Sequence, residues 1–326
     1  KDPLNLGTPF DSLSPEIYGS IHTNLQLTSQ QLRDDLFTCK TSGESQVIAA
    51  GECVWIDVAA LSQKGDRTYE RFGFETSASA LSAGAQIDLG EQWYLALAAG
   101  ASVYETASST QPALVNGSSN EAGIALKKSF GSTNIGLGIV GGSGEFDAER
   151  FSLFPFGDRV TSEQDASFFG SWLRVSHDID AGGGWYFRPM LDFGSTRVKT
   201  QGFEETGAGA LNLIVDDSSQ AYVTLKPAIE FGGEFKDDNL IIRPSVYLGY
   251  TQFLTNPNPA TSARLAGAPN VESFEVTSQG DRHIFDAAAN VEVSFLNGLS
   301  MKLGYWGQFS RNTTVHGADF KLNFSF

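Results

Sequence analysis

The chain has 326 residues, with 22 Lys and Arg against 38 Asp and Glu, which gives a formal net charge of -16 at pH 7. This acidic balance argues against a nucleic-acid-binding protein, which needs a basic surface to meet phosphates. No stretch approaches the roughly 18 consecutive apolar residues of a transmembrane helix, so the sequence excludes a helical membrane protein.

The chain begins with a predicted linker and a predicted helix. Residues 1–13 have the Pro, Gly and Asp content of a linker. No basic and apolar signal segment is present there, so we expect the first residue to be a processed or cut end. Ser14, Pro15 and Glu16 then supply an N-cap, a proline at the first helical position and an acid in the first turn. The sequence therefore predicts a helix over residues 14–38.

The predicted helix is polar on nearly all sides. Its apolar positions are sparse: Ile17, Ile21, Leu25, Leu32 and Leu36. Such a helix is not expected to pack into an apolar core. Its roughly 24 residues would span about 36 Å, close to the thickness of a bilayer. Two interpretations stay open at this point, a helix that crosses a polar pore and a solvated connector.

From Cys53 onward, apolar and polar side chains alternate almost without a break, as expected for strands whose side chains point to opposite faces. Apolar sets such as Val54, Ile56 and Val58 mark one face. The other face carries charge, at Asp57, Lys127, Arg174, Arg188, Asp192, Lys226, Glu230, Arg243, Asp286, Glu292 and Lys302. A soluble sandwich with its charged face in water would show the same alternation, so alternation alone does not indicate a membrane.

The connections between the predicted strands separate these two possibilities. Short turns at 89–92, 130–132, 181–184, 236–239 and 296–298 alternate with long loops at about 107–115, 144–163, 200–218 and 254–273. Short turns on one rim and long loops on the other are the pattern of bacterial outer-membrane barrels. The sequence therefore predicts an all-β fold, a transmembrane antiparallel β-barrel of about twelve strands over residues 52–326. We expect Trp93, Trp185 and Trp306 to lie near the membrane interfaces.

The barrel also decides between the two interpretations of the helix. With the short turns in the periplasm the first strand rises outward, so the helix must end on the periplasmic side and thread the pore. The connector at 39–51 is then periplasmic. The helix positions expected to meet the lumen are Asn24, Gln26, Gln30, Arg33, Asp34 and Asp35. Polar groups of this kind are tolerated in a lumen lined with charge, where they find partners.

The two cysteines, Cys39 and Cys53, flank this connector. An even count and an oxidising compartment favour a disulfide. The bond would attach the end of the helix to the first strand and contribute about 3 kcal/mol through chain entropy. Two free thiols are the alternative, because spacing does not prove pairing.

The chain ends on a strand, FKLNFSF, with Phe320, Leu322, Phe324 and Phe326 on one face. This strand, the polar helix that runs into a cysteine, and the segments GECVW at 51–55 and LSAGAQ at 81–86 before WYL at 93–95 resemble the C-terminal translocator domain of autotransporters, the type V secretion family. The resemblance covers residues 14–326. It does not include the paired asparagines found where such a barrel cleaves its own passenger, since Asn24 stands alone before Leu25.

The resemblance implies a barrel in the outer membrane of a Gram-negative bacterium that exports an N-terminal passenger through its pore and anchors it at the cell surface. The linker at 1–13 would then belong to a missing or cleaved passenger, and the terminal strand would be the signal read by the barrel-assembly machinery. We expect contacts with outer-membrane lipid and lipopolysaccharide, a monomeric barrel, extracellular long loops, and a periplasmic C-terminus. A free-standing outer-membrane channel or surface-scaffold barrel without a passenger is the alternative.

The sequence favours no enzyme, no metal and no cofactor. It has no GxSxG and no HExxH motif, and GLGIVG at 136–141 lacks the helix that a dinucleotide site needs. In a strand these glycines would leave room for the helix backbone inside the barrel. His283 and His316 are expected near the outer rim, where an outer-membrane lipase would also need a serine, and the sequence around His316 offers only threonines. Acidic residues of the long loops, including Glu205, are expected to be solvated.

Overall fold

The structure is a computed structural model that describes residues 12–37, 39, 51–68, 71–109, 112–152, 157–237, 240–278, 280–295 and 297–326. Most of the predicted linker at 1–13 and of the predicted connector at 39–51 lies outside these residues. Among the described residues, no helix is long and apolar enough to cross a membrane.

A helix precedes the strands. Pro15 leads into a 3-10 turn, Glu16–Gly19, and the α-helix α1 follows over Ser20–Leu36. The hydroxyl of Ser14 accepts the backbone N–H of Glu16 at 3.3 Å, as its position before a helix start suggests. The helical residues therefore lie within the predicted range of 14–38 and are two residues shorter at the start, with a first turn that is 3-10 rather than α.

Twelve long strands in the described part of the chain form one sheet. They are β1 (Cys53–Gly65), β2 (Phe74–Gly90), β3 (Trp93–Ser108), β4 (Ala113–Phe130), β5 (Thr133–Ser152), β6 (Asp158–His177), β7 (Trp185–Thr200), β8 (Ser218–Gly233), β9 (Leu240–Phe253), β10 (His283–Phe295), β11 (Leu299–Phe309) and β12 (Thr313–Ser325). Each strand pairs antiparallel with the next. Strand β12 also pairs with β1, from Cys53↔Ser325 to Gly65↔Thr313. The predicted closed barrel of twelve antiparallel strands is confirmed.

The outer face of the barrel is an apolar belt. Large side chains such as Val58, Leu97 and Leu137 lie within the strands and are 53%, 51% and 57% exposed. Exposed apolar surface on this scale is stable against lipid and not against water. The alternation of these residues with buried polar ones therefore identifies a barrel whose outside meets a membrane.

Two of the three predicted interface tryptophans lie on this outer face. Trp93 and Trp185 begin β3 and β7 at the short-turn rim and are 39% and 38% exposed. The prediction is wrong for Trp306, which lines the lumen. It has the same parity along β11 as Lys302, and side chains two or four positions apart in a strand share a face.

The prediction of strictly alternating short and long connections is wrong at one rim. Strands β3 and β4 are joined by residues 109–112, and β5 and β6 by residues 153–157. The described residues of the predicted long loops at 107–115 and 144–163 are largely strand, because the polar–apolar alternation continues through them. Within the described chain, only the connections at 201–217 and 254–282 are long.

These two long connections fold together into a small sheet. Its four strands are Phe203–Glu204, Leu213–Val215, Ala260–Leu265 and Phe274–Thr277. Each of them pairs with the next one along the chain. Leu213, Val215 and Ala263 are buried on its inner side. We call this element the lid sheet, since it lies over the long-loop mouth of the barrel.

The lumen contains an apolar core that the sequence did not predict. The apolar positions of α1 are almost completely buried, with Leu25 at 0% and Ile21 at 1% exposure. They belong to one cluster with inward-facing aromatic residues, namely Trp55, Tyr104, Phe146, Phe168 and Trp172. The expectation that this helix would avoid an apolar core is wrong, because one side of the lumen wall is aromatic.

Candidate functional site

The candidate site is the lumen, and α1 lies along it from one rim to the other. At the long-loop rim, the Glu16 carboxylate accepts the backbone N–H of Phe72 at 3.2 Å, and the Glu16 carbonyl accepts the Ser278 hydroxyl at 2.6 Å. At the short-turn rim, the Asp35 carboxylate accepts from Lys321 Nζ at 2.6 Å. The helix therefore begins at the long-loop mouth and ends near the C-terminal strand.

A disulfide fixes the lower end of this helix. Cys39 and Cys53 are bonded, with their Cα atoms 6.3 Å apart at a sequence separation of 14. Cys53 is the first residue of β1, so the bond joins the segment after α1 directly to the wall. The predicted disulfide is present.

Charged side chains at the end of α1 bind the wall on two sides. The Arg174 guanidinium donates to both Asp192 oxygens at 2.7 Å and to Asp34 at 2.8 Å. Asp34 also forms an ion pair with Arg33 at 2.9 Å. Arg33 is buried, and its guanidinium lies 5.8 Å from the centre of the Trp172 ring.

On the opposite side of the same helix turn, Asp35 joins a second network. It accepts from Lys321 Nζ and from the Ser82 hydroxyl at 2.8 Å. Lys321 is also 3.3 Å from Asp57, so one buried cation serves two buried carboxylates. Breaking a buried pair of this kind leaves an uncompensated charge and is strongly destabilising.

The remaining predicted lumen charges mostly pair with one another along the wall. The ion pairs are Lys226–Asp286 at 3.1 Å, Arg188–Glu230 at 3.1 Å, Arg243–Glu292 at 2.9 Å and Lys302–Asp319 at 3.2 Å. Lys127 instead donates to the Gln86 side-chain oxygen at 2.7 Å. The structure thus places all eleven predicted charges inside the barrel. Among them, Arg174 contacts Asp34 of the helix, and Lys127 Nζ lies 5.6 Å from the centre of the Phe37 ring.

The upper half of α1 meets the wall through uncharged groups. Asn24 donates to the Thr106 hydroxyl at 3.3 Å, and Gln30 accepts from Gln308 at 3.3 Å. His22 lies between Ser218 and Tyr222, with its Nε2 3.0 Å from the Ser218 hydroxyl. Gln26 is 9% exposed and faces β9–β12.

The most completely buried ion pair of the mouth was missed at the sequence level. Arg150 forms a two-pronged ion pair with Glu205, to which the Tyr18 hydroxyl donates at 2.6 Å. Arg150 Nη1 also donates to the Ser12 carbonyl at 2.7 Å. We call Tyr18, Arg150 and Glu205 the mouth cluster. Glu205 is 1% exposed, so the expectation that it is solvated is wrong. Phe146, Ala148 and Arg150 are two positions apart along β5, so they share the face that points into the lumen. This spacing could have indicated that Arg150 has a buried partner.

Glu16 lies at the long-loop mouth, next to the connection between β1 and β2. Burial raises the pKa of its carboxyl to about 7, because the loss of hydration outweighs the Phe72 N–H bond and the nearby positive charge of Arg71. The folded state therefore holds this proton more tightly than the unfolded chain does.

The glycine-rich segment at 136–141 has a packing role. A Cβ atom at Gly136 would collide with the ring of Phe37, the residue that ends the helix. The glycine therefore makes room for an aromatic side chain at the end of α1, and not for the helix backbone as the sequence suggested.

The side chains that contact the two outward-facing histidines differ from those that contact the catalytic histidine of a hydrolase. His283 and His316 lie 2.7 Å and 2.6 Å from the hydroxyls of Tyr250 and Tyr305. The β1–β12 register does place Ser62 opposite His316, a neighbour that the sequence around His316 could not reveal. The residue that orients this histidine is a tyrosine and not an acid. Among the described residues, no group of three or more His, Cys, Asp or Glu could hold a metal ion.

A closed barrel with an apolar belt and a helix along its lumen, held by ion pairs at one end and by hydrogen bonds at the other, defines a transmembrane barrel of the translocator class. The autotransporter β-domain family model matches residues 54–306. The chain belongs to this family, whose barrels are outer-membrane proteins that carry a passenger domain. No curated protein sequence matches the chain.

Three solved structures share this fold. The translocator domain of NalP from Neisseria meningitidis superposes with a TM-score of 0.74 at 12% identity, covering 97% of this chain and 99% of that one. The β-domain of BrkA from Bordetella gives a TM-score of 0.62 at 14% identity over 85% of this chain and 100% of that one. The transport unit of AIDA-I from Escherichia coli gives 0.59 at 14% identity over 96% and 99%.

The buried pair of Asp35 and Lys321 generates a first prediction. We expect Lys321→Met to lower the free energy of unfolding by about 3–5 kcal/mol, because it removes the cation that Asp35 and Asp57 share. Asp35→Asn should cost less, because Lys321 keeps Asp57 as a partner, and the double variant should lose less than the sum. The measurement is urea unfolding of the refolded barrel in detergent micelles. Lys64→Met is the matched control, since the Lys64–Glu75 pair is exposed on both sides and is worth about 0–1 kcal/mol. Equal losses for Lys321→Met and Lys64→Met would contradict the assignment.

The Glu16 carboxyl generates a second prediction. Its folded pKa of about 7 lies above the ordinary 4.5, so the folded state binds more protons between these values and its stability falls as the pH rises through that window. We expect Glu16→Gln to stabilise the barrel relative to wild type at pH 8 and to have little effect at pH 4. Urea unfolding of both proteins at the two pH values gives the comparison, and a difference that does not depend on pH would refute it.

Proposed function

We propose that this barrel is the translocator and anchor of a longer autotransporter, which exports an N-terminal passenger and tethers it at the outer surface. The observation that carries the proposal is the course of α1. The helix leaves the lumen at the long-loop mouth, where Arg150 holds the Ser12 carbonyl. With the long loops outside the cell, any segment joined in front of the helix emerges on the outside.

The two ends of the helix suit a tether. Its lower end is bound to the wall by the Cys39–Cys53 disulfide and by the Asp34 and Asp35 ion pairs. Its upper end is held by the mouth cluster and by Glu16. A helix fastened in this way resists being pulled out by whatever it carries. A free-standing channel, the alternative function, has no use for a helix that fills most of its lumen.

The remaining partners follow from the outer face and from the last strand. The apolar belt suits outer-membrane lipid, with lipopolysaccharide on the side of the long loops. Phe320, Phe324 and Phe326 point outward and are 43%, 45% and 68% exposed, next to the outward-facing Leu322. An exposed aromatic face on the terminal strand suits recognition by the barrel-assembly machinery before the strand pairs with β1. A single chain closes the barrel, so we propose a monomer.

A labelling experiment on intact cells tests the orientation and the export together. Ser109→Cys and Ser132→Cys make the same exchange at exposed positions of opposite rims. With an epitope joined in front of Lys1, we expect a membrane-impermeant maleimide to label Ser109→Cys, and an antibody to bind the epitope, without permeabilisation.

Ser132→Cys should react only after the outer membrane is opened. Unmutated protein is the background control, because the described residues contain no free cysteine. Labelling of Ser132→Cys alone on intact cells would show that the short turns, and not the long loops, face the outside. An epitope that the antibody reaches only after permeabilisation would refute export.

A further inference from the structure

Two tyrosine–histidine pairs lie on the outer face of the barrel near the long-loop rim. His283 is the first residue of β10, and its Nδ1 lies 2.7 Å from the hydroxyl of Tyr250 on β9. His316 lies near the start of β12, and its Nδ1 lies 2.6 Å from the hydroxyl of Tyr305 on β11. All four side chains are exposed on the face that elsewhere forms the apolar belt. Polar and aromatic groups at this height of a membrane meet lipid headgroups and not acyl chains.

From these pairs and the charges around them we infer that this part of the outer face binds the phosphorylated sugar headgroup of a lipopolysaccharide molecule. We call the binding surface the outer patch, and it consists of Tyr250, Arg282, His283, Tyr305, Arg311 and His316. The inference rests on the orientation proposed above, in which the long loops lie outside the cell and this rim meets the outer leaflet.

Each imidazole of the outer patch has one nitrogen left for a ligand. In both pairs Nδ1 is bonded to tyrosine, and within the described residues Nε2 has no hydrogen-bond partner. When the hydroxyl donates to Nδ1, the ring proton lies on Nε2, which then donates to an acceptor outside the barrel. The His283 ring stacks on Tyr250 at 5.8 Å, and the His316 ring packs against Phe309 at 5.6 Å. Both rings are therefore oriented before a ligand binds.

The two arginines of the outer patch are brought together by the connections at this rim. Arg282 immediately precedes β10, and Arg311 lies in the turn at 310–312 between β11 and β12. Asp281 joins the two segments, since its carboxylate accepts from the Ser310 hydroxyl at 2.7 Å and from the Asn312 amide at 2.9 Å. Both arginines are exposed, and no acid among the described residues forms an ion pair with either. A guanidinium matches a phosphate group in geometry as well as in charge.

The distribution of charge around the rim favours this side of the barrel for a phosphate. Along the described residues of β9–β12, no outward position carries a carboxylate. The outward positions near the long-loop ends of β3, β5 and β6 are acidic instead, at Glu105, Glu145, Asp147, Glu163 and Asp165. The register places Glu145 opposite Asp165 and Asp147 opposite Glu163. A phosphate would be repelled there, because like charges at close range are unfavourable.

The surface next to the outer patch suits acyl chains. Leu248 and Leu303 lie two positions from Tyr250 and Tyr305, toward the short-turn rim, and are 44% and 64% exposed. Side chains two positions apart in a strand share a face, so a headgroup at the histidines places its acyl chains along these leucines. The phosphates, the sugar hydroxyls and the acyl chains of one glycolipid would each meet groups of matching chemistry.

Native mass spectrometry of the full-length barrel in detergent micelles tests the inference, with purified lipid A as the probe. We expect one lipid A molecule to stay bound to each wild-type chain, and about tenfold weaker binding once its phosphates have been removed. The double variant Arg282→Gln with Arg311→Gln should weaken binding of intact lipid A about five- to tenfold, because it removes charge-assisted bonds. His283→Phe with His316→Phe should also weaken it, and keeps an aromatic ring at both positions.

His177→Phe and Lys199→Gln are the matched controls. His177 is also exposed, with its Nδ1 2.8 Å from the Thr133 hydroxyl, but it lies at the short-turn rim. Lys199 is an exposed cation at the long-loop end of β7, away from the outer patch. Both controls should bind lipid A as the wild type does. Every variant is first shown to be folded by its resistance to unfolding in cold detergent.

Three results would each overturn the inference: no bound lipid A, equal binding of the phosphorylated and dephosphorylated forms, or equal losses in the patch variants and the controls. Displacement of lipid A by an equal concentration of phosphatidylglycerol would also overturn it, because the surface would then bind any anionic lipid. Binding in micelles does not depend on the direction of insertion. Failure of the labelling experiment on cells would therefore be distinguishable from failure of this one.

Discussion

Closure of the sheet is the constraint on which the rest of the structure depends. In lipid, an unpaired backbone N–H or C=O costs several kcal/mol, so no strand edge can remain open. Strands β1 and β12 meet this requirement along their whole length, and the Phe326 N–H continues the ladder to the Glu52 carbonyl. A ring of twelve strands encloses more space than its own side chains fill. The helix and the charged side chains of the wall occupy that space.

The helix is held in the lumen by different chemistry at its middle and at its ends. Its apolar stripe supplies burial against Trp55, Phe168 and the other aromatic residues of the wall. At the lower end, the ion pairs of Asp34 and Asp35 fix the position of the helix, since a buried charge that slides away from its partner costs far more than the pair contributes. At the upper end, the hydrogen bond from Tyr18 to Glu205 does so. The mouth cluster joins three distant segments of the chain, namely the helix start, β5 and the lid sheet. It can therefore form only when all three have reached their final places.

The fold could be predicted from the sequence because its signal is local. A period of two along each strand identifies both faces, so the apolar belt, the closed barrel and the inward parity of residues such as Asp192 follow from it. Loop lengths were less informative. The alternation at 144–152 and 158–163 was present in the sequence, but the acidic residues there suggested a solvated loop instead of an extended hairpin.

Pairing across the lumen could not be predicted, because it depends on contacts between residues far apart in the chain. Nothing local links Asp35 to Lys321 or Arg150 to Glu205, which are separated by 286 and 55 positions. The aromatic wall was overlooked for a different reason. Trp55 and Trp172 share their faces with charged neighbours, and an inward face that carries charge suggested a wholly polar lumen.

The central claim is that α1 occupies the pore, and single-channel conductance measures this most directly. Recordings should compare the full chain with a chain that lacks residues 1–37 and keeps both cysteines. A helix is about 10–12 Å across and takes up most of the lumen, so we predict a several-fold larger conductance without it. The barrel should still insert, because its closed ladder and apolar belt do not involve the helix. Equal conductance for the two folded proteins would show that the helix lies outside the pore and would contradict the account.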